Sequence, residues 1–198
     1  MEVDLARRLL GGDGSAFDEF VQVFRGKVFQ YSYLMCGHRE DAEEIAQETL
    51  LKVFQNFRQL REPEHIKAWV FRIAKNACSM RRRKSTYAPV EELSLDELKP
   101  SFTEDGESRR LEIADWRAVP EDQAITGQLA GILRRAVEEL PEMYRSVLLL
   151  RDMEELSTAE SAAILDVSED VIKTRLHRAR LAVRQKMDEH LRAVEAAA

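Results

Sequence analysis

Two stretches of this chain carry charge of one sign only. From Ile66 to Lys84 the charged residues are Lys67, Arg72, Lys75, Arg81, Arg82, Arg83 and Lys84, seven bases and no acid. From Val171 to Lys186 they are Lys173, Arg175, Arg178, Arg180, Arg184 and Lys186, six bases and no acid. A solvated helix face normally alternates acids with bases, so these blocks call for a negatively charged partner. Lysine and arginine neutralise phosphates, and Arg, Lys, Asn, Thr and His also bond base edges, which makes nucleic-acid recognition the expected chemistry. Asn76, inside the first block, offers both a donor and an acceptor to a base edge. Trp69 offers a stacking face, although at its spacing a core position is the commoner use.

Other chemistries find little support. His38, His65, His177 and His190 are scattered, and HExxH, a glycine-rich phosphate loop and GxSxG are all missing. An enzyme is therefore not expected. Cys36 and Cys78 stand far apart with no CxxC spacing, which argues against a disulfide framework or a zinc site and for buried thiols. No metal and no cofactor are expected.

The elements that position these residues are helical. Asp4 to Leu10 ends in Gly11-Gly12, and Ser15 with Asp18 predicts a capping box for a helix that runs to Cys36 and stops at Gly37. Asp41 with Glu44 predicts a second box, opening a helix with Ala42, Ile45, Ala46, Thr49, Val53 and Phe57 on its apolar face. After a loop containing Pro63, the spacing of Ile66, Trp69, Val70, Ile73, Ala77 and Met80 predicts a helix that ends in the first basic block. Beyond residue 127 the pattern resumes. Leu129, Ile132, Leu133, Ala136, Val137 and Leu140 form one stripe, and Tyr144, Val147, Leu148 and Arg151 follow Pro141. Ser157 caps a short helix to Leu165, and Ser168 caps a long one to about Lys186, with Val171, Ile172, Leu176, Ala179 and Val183 inward. Two helices joined by a tight turn at Asp166, with small Ala162 in the first and apolar Ile172 in the basic second, are the parts of a helix-turn-helix.

The bulk numbers agree with a globular chain. It has 198 residues, 44% hydrophobic and 33% charged, and a net charge of −6 that conceals the two basic blocks. No apolar run approaches the roughly 20 residues of a spanning helix, and Met1-Glu2-Val3-Asp4 lacks the order of a secretory signal, so a cytoplasmic protein without membrane insertion is expected. From Ser85 to Ile125 there are eleven acids against four bases, with Pro89, Pro100, Gly106 and Pro120, the composition of an acidic linker. The expected fold is all-α, with two small helical domains at 1–84 and 128–198 joined by a linker at 85–127.

Particular motifs sharpen this. Leu140-Pro141-Glu142-Met143-Tyr144-Arg145-Ser146-Val147-Leu148-Leu149-Leu150-Arg151-Asp152, then Leu156-Ser157, then Ile172-Lys173-Thr174-Arg175-Leu176-His177-Arg178-Ala179-Arg180 resembles region 4 of the extracytoplasmic function (ECF) group of bacterial sigma-70 factors. Asp41-Ala42-Glu43-Glu44-Ile45-Ala46-Gln47-Glu48-Thr49-Leu50-Leu51-Lys52-Val53-Phe54 resembles region 2.2 of the same family. Ala68-Trp69-Val70-Phe71-Arg72-Ile73-Ala74-Lys75-Asn76-Ala77 resembles the part that reads and melts the minus-10 element.

The resemblance implies a non-enzymatic sigma factor, monomeric within the holoenzyme, whose partners are core RNA polymerase (beta-prime and beta subunits), promoter DNA and an anti-sigma factor. It implies core-polymerase contacts at Asp41, Glu44, Gln47, Glu48, Leu50 and Phe54. Minus-10 contacts are implied at Lys67, Trp69, Arg72, Lys75, Asn76, Arg81, Arg82 and Arg83, with the loop from Phe57 to His65 as the other wall of a base pocket. Minus-35 contacts are implied at Lys173, Thr174, Arg175, His177, Arg178 and Arg180. Among the last set Lys173, Thr174, His177 and Arg178 are expected at the bases, and Arg175, Arg180 and Arg184 at phosphates or in packing. The chain departs from the family where Ser161 replaces Ile and where Asp170-Val171 replaces Gly-Thr, the second at the DNA-facing start of the recognition helix. A dimeric helix-turn-helix repressor is the alternative, but it leaves the first basic block and the acidic helix before it without a role.

Overall fold

The computed structural model describes the backbone of residues 1–84 and 123–196 and the side chains of residues 1–81 and 129–192. Eight α-helices are found there: α1 Glu2–Leu10, α2 Ala16–Cys36, α3 Arg39–Asn56, α4 Ile66–Lys84, α5 Gln123–Glu138, α6 Glu142–Leu148, α7 Thr158–Leu165 and α8 Glu169–Ala196. No strand occurs among the described residues. Most of the expected linker, residues 85–122, lies outside the described residues, and α5 starts inside its expected C-terminal end. None of the described helices is long and apolar enough to cross a membrane.

Helix α2 is the centre of the N-terminal half, with Phe20, Phe24, Val28, Tyr31 and Met35 buried at the i, i+4 and i, i+3 spacing of one face. It ends at Gly37, whose φ of 78° is a left-handed conformation glycine adopts without a Cβ penalty. Helix α3 packs on it through Ala42, Ile45, Ala46, Thr49, Leu50 and Val53. Helix α4 completes the layer with Ile66, Val70, Phe71, Ala74, Ala77 and Cys78.

Three expectations are corrected here. Ser15 does not form a capping box: its backbone is already helical, and its N–H and hydroxyl both donate to Asp13 Oδ1, at 3.0 and 2.6 Å. Asp41 does not cap α3, which begins two residues earlier and turns Asp41 toward α4. Met80 is 52% exposed, because the buried stripe of α4 runs through Ala74, Ala77 and Cys78 and leaves Met80 on the outer side.

The C-terminal half builds on α8. Ile172, Leu176, Ala179, Ala182 and Val183 form its buried side, and Val147, Ala162, Ile172 and Leu176 make a small cluster that seats α7 against α6 and α8. Helix α6 does not continue to Asp152 as one α-helix. A π-helical turn at Leu149–Met153 interrupts it and drives Leu149 and Leu150 into the core. The main hydrophobic cluster runs through both halves, joining Tyr31, Phe71 and Ala74 to Leu140, Tyr144, Leu149 and Leu150.

Candidate nucleic-acid interface

The turn before α8 is set by local chemistry. Ser157 Oγ accepts from the Glu160 backbone N–H at 3.1 Å while the Glu160 carboxylate accepts from the Ser157 N–H at 2.8 Å, a complete capping box for α7. Helix α7 closes at Asp166, whose φ of 56° and ψ of 50° are left-handed, and Ser168 Oγ then accepts from the Val171 N–H at 3.4 Å to open α8. The Asp166 backbone therefore sets the angle between the two helices of the motif.

On α8 the side chains of Lys173, Thr174 and His177 are exposed, while Arg175 and Arg178 are partly buried along the same surface. Asp170 stands out into solvent with 90% of its side chain exposed and holds Lys173 Nζ at 3.1 Å. Thr174 Oγ1 donates to the Asp170 carbonyl at 2.9 Å. Arg180 is differently engaged. Its guanidinium grips both carboxylate oxygens of Asp152, at 2.9 and 2.6 Å, tying α8 to the π-helical turn, and this bond raises its already high pKa. Of the two roles expected for Arg180, packing is the one with a partner in the structure.

On α4, Asn76 and Arg72 are exposed and Lys75 is partly so. Trp69 is partly buried and meets Phe57 edge to face, with ring centroids 6.1 Å apart, so it braces the loop from Phe57 to His65 against the helix. Arg82 and Arg83 lie in the last turn of α4, and their side chains fall outside those described. Arg81 Nη2 lies 2.8 Å from Asp41 Oδ1 and 2.7 Å from Glu44 Oε2. These carboxylates raise the pKa of Arg81, Glu44 first. Three residues expected at two separate surfaces are thus one ion cluster between α3 and α4.

The outer side of α3 shows Glu44, Gln47, Glu48, Leu51 and Phe54 at helical spacing, with Leu51 56% and Phe54 60% exposed. Leu50, expected among the exposed residues, is 9% exposed and belongs with Ala46 and Val53 in the core. Leu51 is the residue missed. The signal was present, because 47, 51 and 54 share one face and 46, 50 and 53 another, about 100° away round the helix. Phe54 is steadied by Phe17, whose ring centroid lies 4.7 Å away.

The two halves dock through α4 and α2. Arg72 Nη2 donates to the Ala163 carbonyl at 3.1 Å, Lys67 Nζ lies 3.8 Å from Glu154 Oε2, and His65 Nδ1 lies 3.5 Å from Glu160 Oε1. On the far side Arg134 Nη1 donates to the Tyr33 hydroxyl at 2.6 Å, and Arg145 Nη1 donates to the carbonyls of Leu34 and Met35, both at 3.2 Å. Glu154 is 3% exposed. Burial pushes its carboxyl up to about 7, against the pull of Lys67 and Lys27 and with a further push from Glu2 and Glu155.

Comparison with known proteins matches residues 20–87 to sigma-70 region 2 and residues 130–183 to sigma-70 region 4. The chain is 30% identical over 184 residues to the ECF RNA polymerase sigma factor SigW of Bacillus subtilis, covering 89% of this chain and 91% of that one. It is 28% identical over 194 residues to the ECF RNA polymerase sigma-E factor of Escherichia coli K12, covering 95% of each. Among solved structures it resembles CnrH in complex with the cytosolic domain of CnrY, with a TM-score of 0.63, 19% identity and coverage of 95% and 97%. It also resembles the sigma factor RpoE bound to the anti-sigma factor NepR of Bartonella quintana, with a TM-score of 0.61, 20% identity and coverage of 87% and 96%.

Proposed function

The chain belongs to the ECF group of bacterial RNA polymerase sigma factors and so directs transcription initiation, and from this premise we propose which of its surfaces perform each step. The outer face of α3, with Glu44, Gln47, Glu48, Leu51 and Phe54, docks on core RNA polymerase, since charges guide encounter and exposed apolar side chains hold a complex. Helix α4 reads and opens the minus-10 element. Unstacking a base costs a few kcal/mol, and a pocket walled by Asn76 and the loop at 57–65 offsets it, with Lys75 and Arg72 on the released backbone. The start of α8 reads the minus-35 element through Lys173, Thr174, His177 and Arg178. Asp170 lies against Lys173 there, so this helix is suited to a minus-35 sequence of its own.

The observation that carries this reading is the presentation of an exposed polar and apolar face on α3 beside two separate basic helices. The protein contributes recognition, and the polymerase contributes the phosphoryl transfer, which places the action in the cytoplasm. Elements named minus-35 and minus-10 lie about 85 Å apart at 3.4 Å per base step. Helices α4 and α7 touch in the structure, so the two halves, 1–84 and 128–198, separate on the promoter with the acidic segment between them as tether. The docked form is then a resting state in which Arg72 and Lys67 are occupied by the other half. An anti-sigma partner that holds the halves together would act on this equilibrium.

The test adds the protein to sigma-free core polymerase and a promoter template. Specific initiation is expected. No transcription, together with tight binding to a palindromic site by the protein alone, would establish the repressor instead.

A further inference from the structure

The only two cysteines of the chain, Cys36 and Cys78, lie on different helices, and the fold brings them together. Cys36 is the last residue of α2 and Cys78 lies one turn before the basic end of α4, where these helices pack. Both side chains pack in one hydrophobic cluster, Cys36 together with burial holds the Cys78 thiol well above its ordinary pKa, and the two are not joined as a disulfide. Cys78 is 1% exposed in the core, whereas Cys36 is only partly buried at its edge. A solute therefore reaches Cys36 first.

The helix end that carries Cys36 is capped by a cation. The C-terminus of a helix disfavours a thiolate, but the Arg145 guanidinium is bonded to the carbonyls of Leu34 and Met35, the two residues before Cys36, and sets a fixed positive charge at this helix end. A partly exposed thiol with a second thiol packed beside it is a common arrangement of a redox pair.

We propose that Cys36 and Cys78 form a hydroperoxide-responsive dithiol that closes an intramolecular disulfide between α2 and α4. Hydrogen peroxide transfers one oxygen to Cys36 Sγ, giving the sulfenic acid and one water. The Cys78 sulfur then attacks Cys36 Sγ and displaces the hydroxyl, which leaves with the Cys78 thiol proton as a second water. The two sulfurs are oxidised by two electrons in all, and the peroxide is reduced by the same two. The product ties the end of α2 to α4 two positions beyond Asn76, so oxidation stiffens the helix that opens DNA.

The test treats the full chain with hydrogen peroxide, blocks the remaining thiols by alkylation and maps the peptides by mass spectrometry. The expected result is a Cys36–Cys78 linked peptide from monomeric protein, with loss of both alkylatable thiols and a rise in Tm that dithiothreitol reverses. Cys36→Ser should abolish the link and the Tm shift, and Cys78→Ala should leave a Cys36 sulfenic acid that dimedone traps. Should Cys78→Ala fail to fold, the wild-type peptide map decides alone. Two thiols that stay alkylatable, Cys36 carried to the sulfinic acid with Cys78 intact, or a link between two copies would overturn the proposal.

Discussion

The carboxylate of Glu154 lies 3.8 Å from Lys67 Nζ, almost wholly out of water, and joins the π-helical turn of one half to the basic helix of the other. Its environment holds a proton more tightly in the folded chain, with a pKa of about 7, than the ordinary value of 4.5. The folded state thus binds more protons than the unfolded one between these values, and its stability falls as pH rises through that window, then levels off above it. Glu154→Gln should remove this slope and stabilise the chain at pH 8 by an amount on the order of 2–3 kcal/mol. Denaturant unfolding of both proteins from pH 5 to 8 measures the difference, and equal slopes would contradict the assignment.

Arg178 and Arg180 should behave differently despite their closeness on α8. Arg178 lies on the expected reading face, so Arg178→Ala should cost about 1–3 kcal/mol on promoter DNA and relax sequence preference. Arg180 is held by Asp152, and as a partly exposed pair screened by solvent it contributes about 1 kcal/mol to stability. Arg180→Ala should leave the preference for minus-35 bases intact. Binding of holoenzyme to promoter and scrambled DNA distinguishes them, and equal losses on both DNAs for Arg178→Ala would count against a base contact.

Neighbouring leucines on α3 should separate folding from docking. Leu51→Ala and Phe54→Ala should weaken binding to core polymerase with little loss of stability, because both side chains are mostly exposed. Leu50→Ala should lower stability by about 2 kcal/mol or more, as expected for a truncated core leucine. Polymerase titrations beside thermal melts check this. The reverse pattern would mean that the docking face lies elsewhere.

The turn of the helix-turn-helix makes a prediction of opposite signs at one residue. Asp166 is left-handed, so Asp166→Gly should be tolerated or slightly stabilising, whereas Asp166→Val should cost about 1–2 kcal/mol. Ser157→Ala should cost about 1 kcal/mol by opening the capping box. Chemical denaturation of the three variants reads these effects directly, and a stable Asp166→Val would show that the turn bears no such constraint.

Local rules were legible in the residues alone. The helices of the described parts, the stop at Gly37, the cap at Ser157, the turn at Asp166 and the two basic blocks all follow from periodicity and from side chains bonding a backbone a few positions away. Where two local patterns competed, spacing did not arbitrate. Ser15 found Asp13 rather than the helix behind it, and Asp41 found Arg81 across a helix interface. The phase of the α3 stripe was legible, since Ala46 and Val53 place Leu50 on the side that α2 covers and leave Leu51 outside it.

Tertiary structure alone decided what distant residues do to each other. Arg180 meets Asp152, Arg72 meets Ala163 and Cys36 meets Cys78 because packing of the helices sets their distances, and no sequence interval encodes such a meeting. The basic blocks on α4 and α8 were legible from residue types and spacing, and nucleic-acid binding is the use proposed for them. That those on α4 are also the seat of the other half follows from the shared core, which buries apolar surface of both halves and brings Glu154 and Lys67 together.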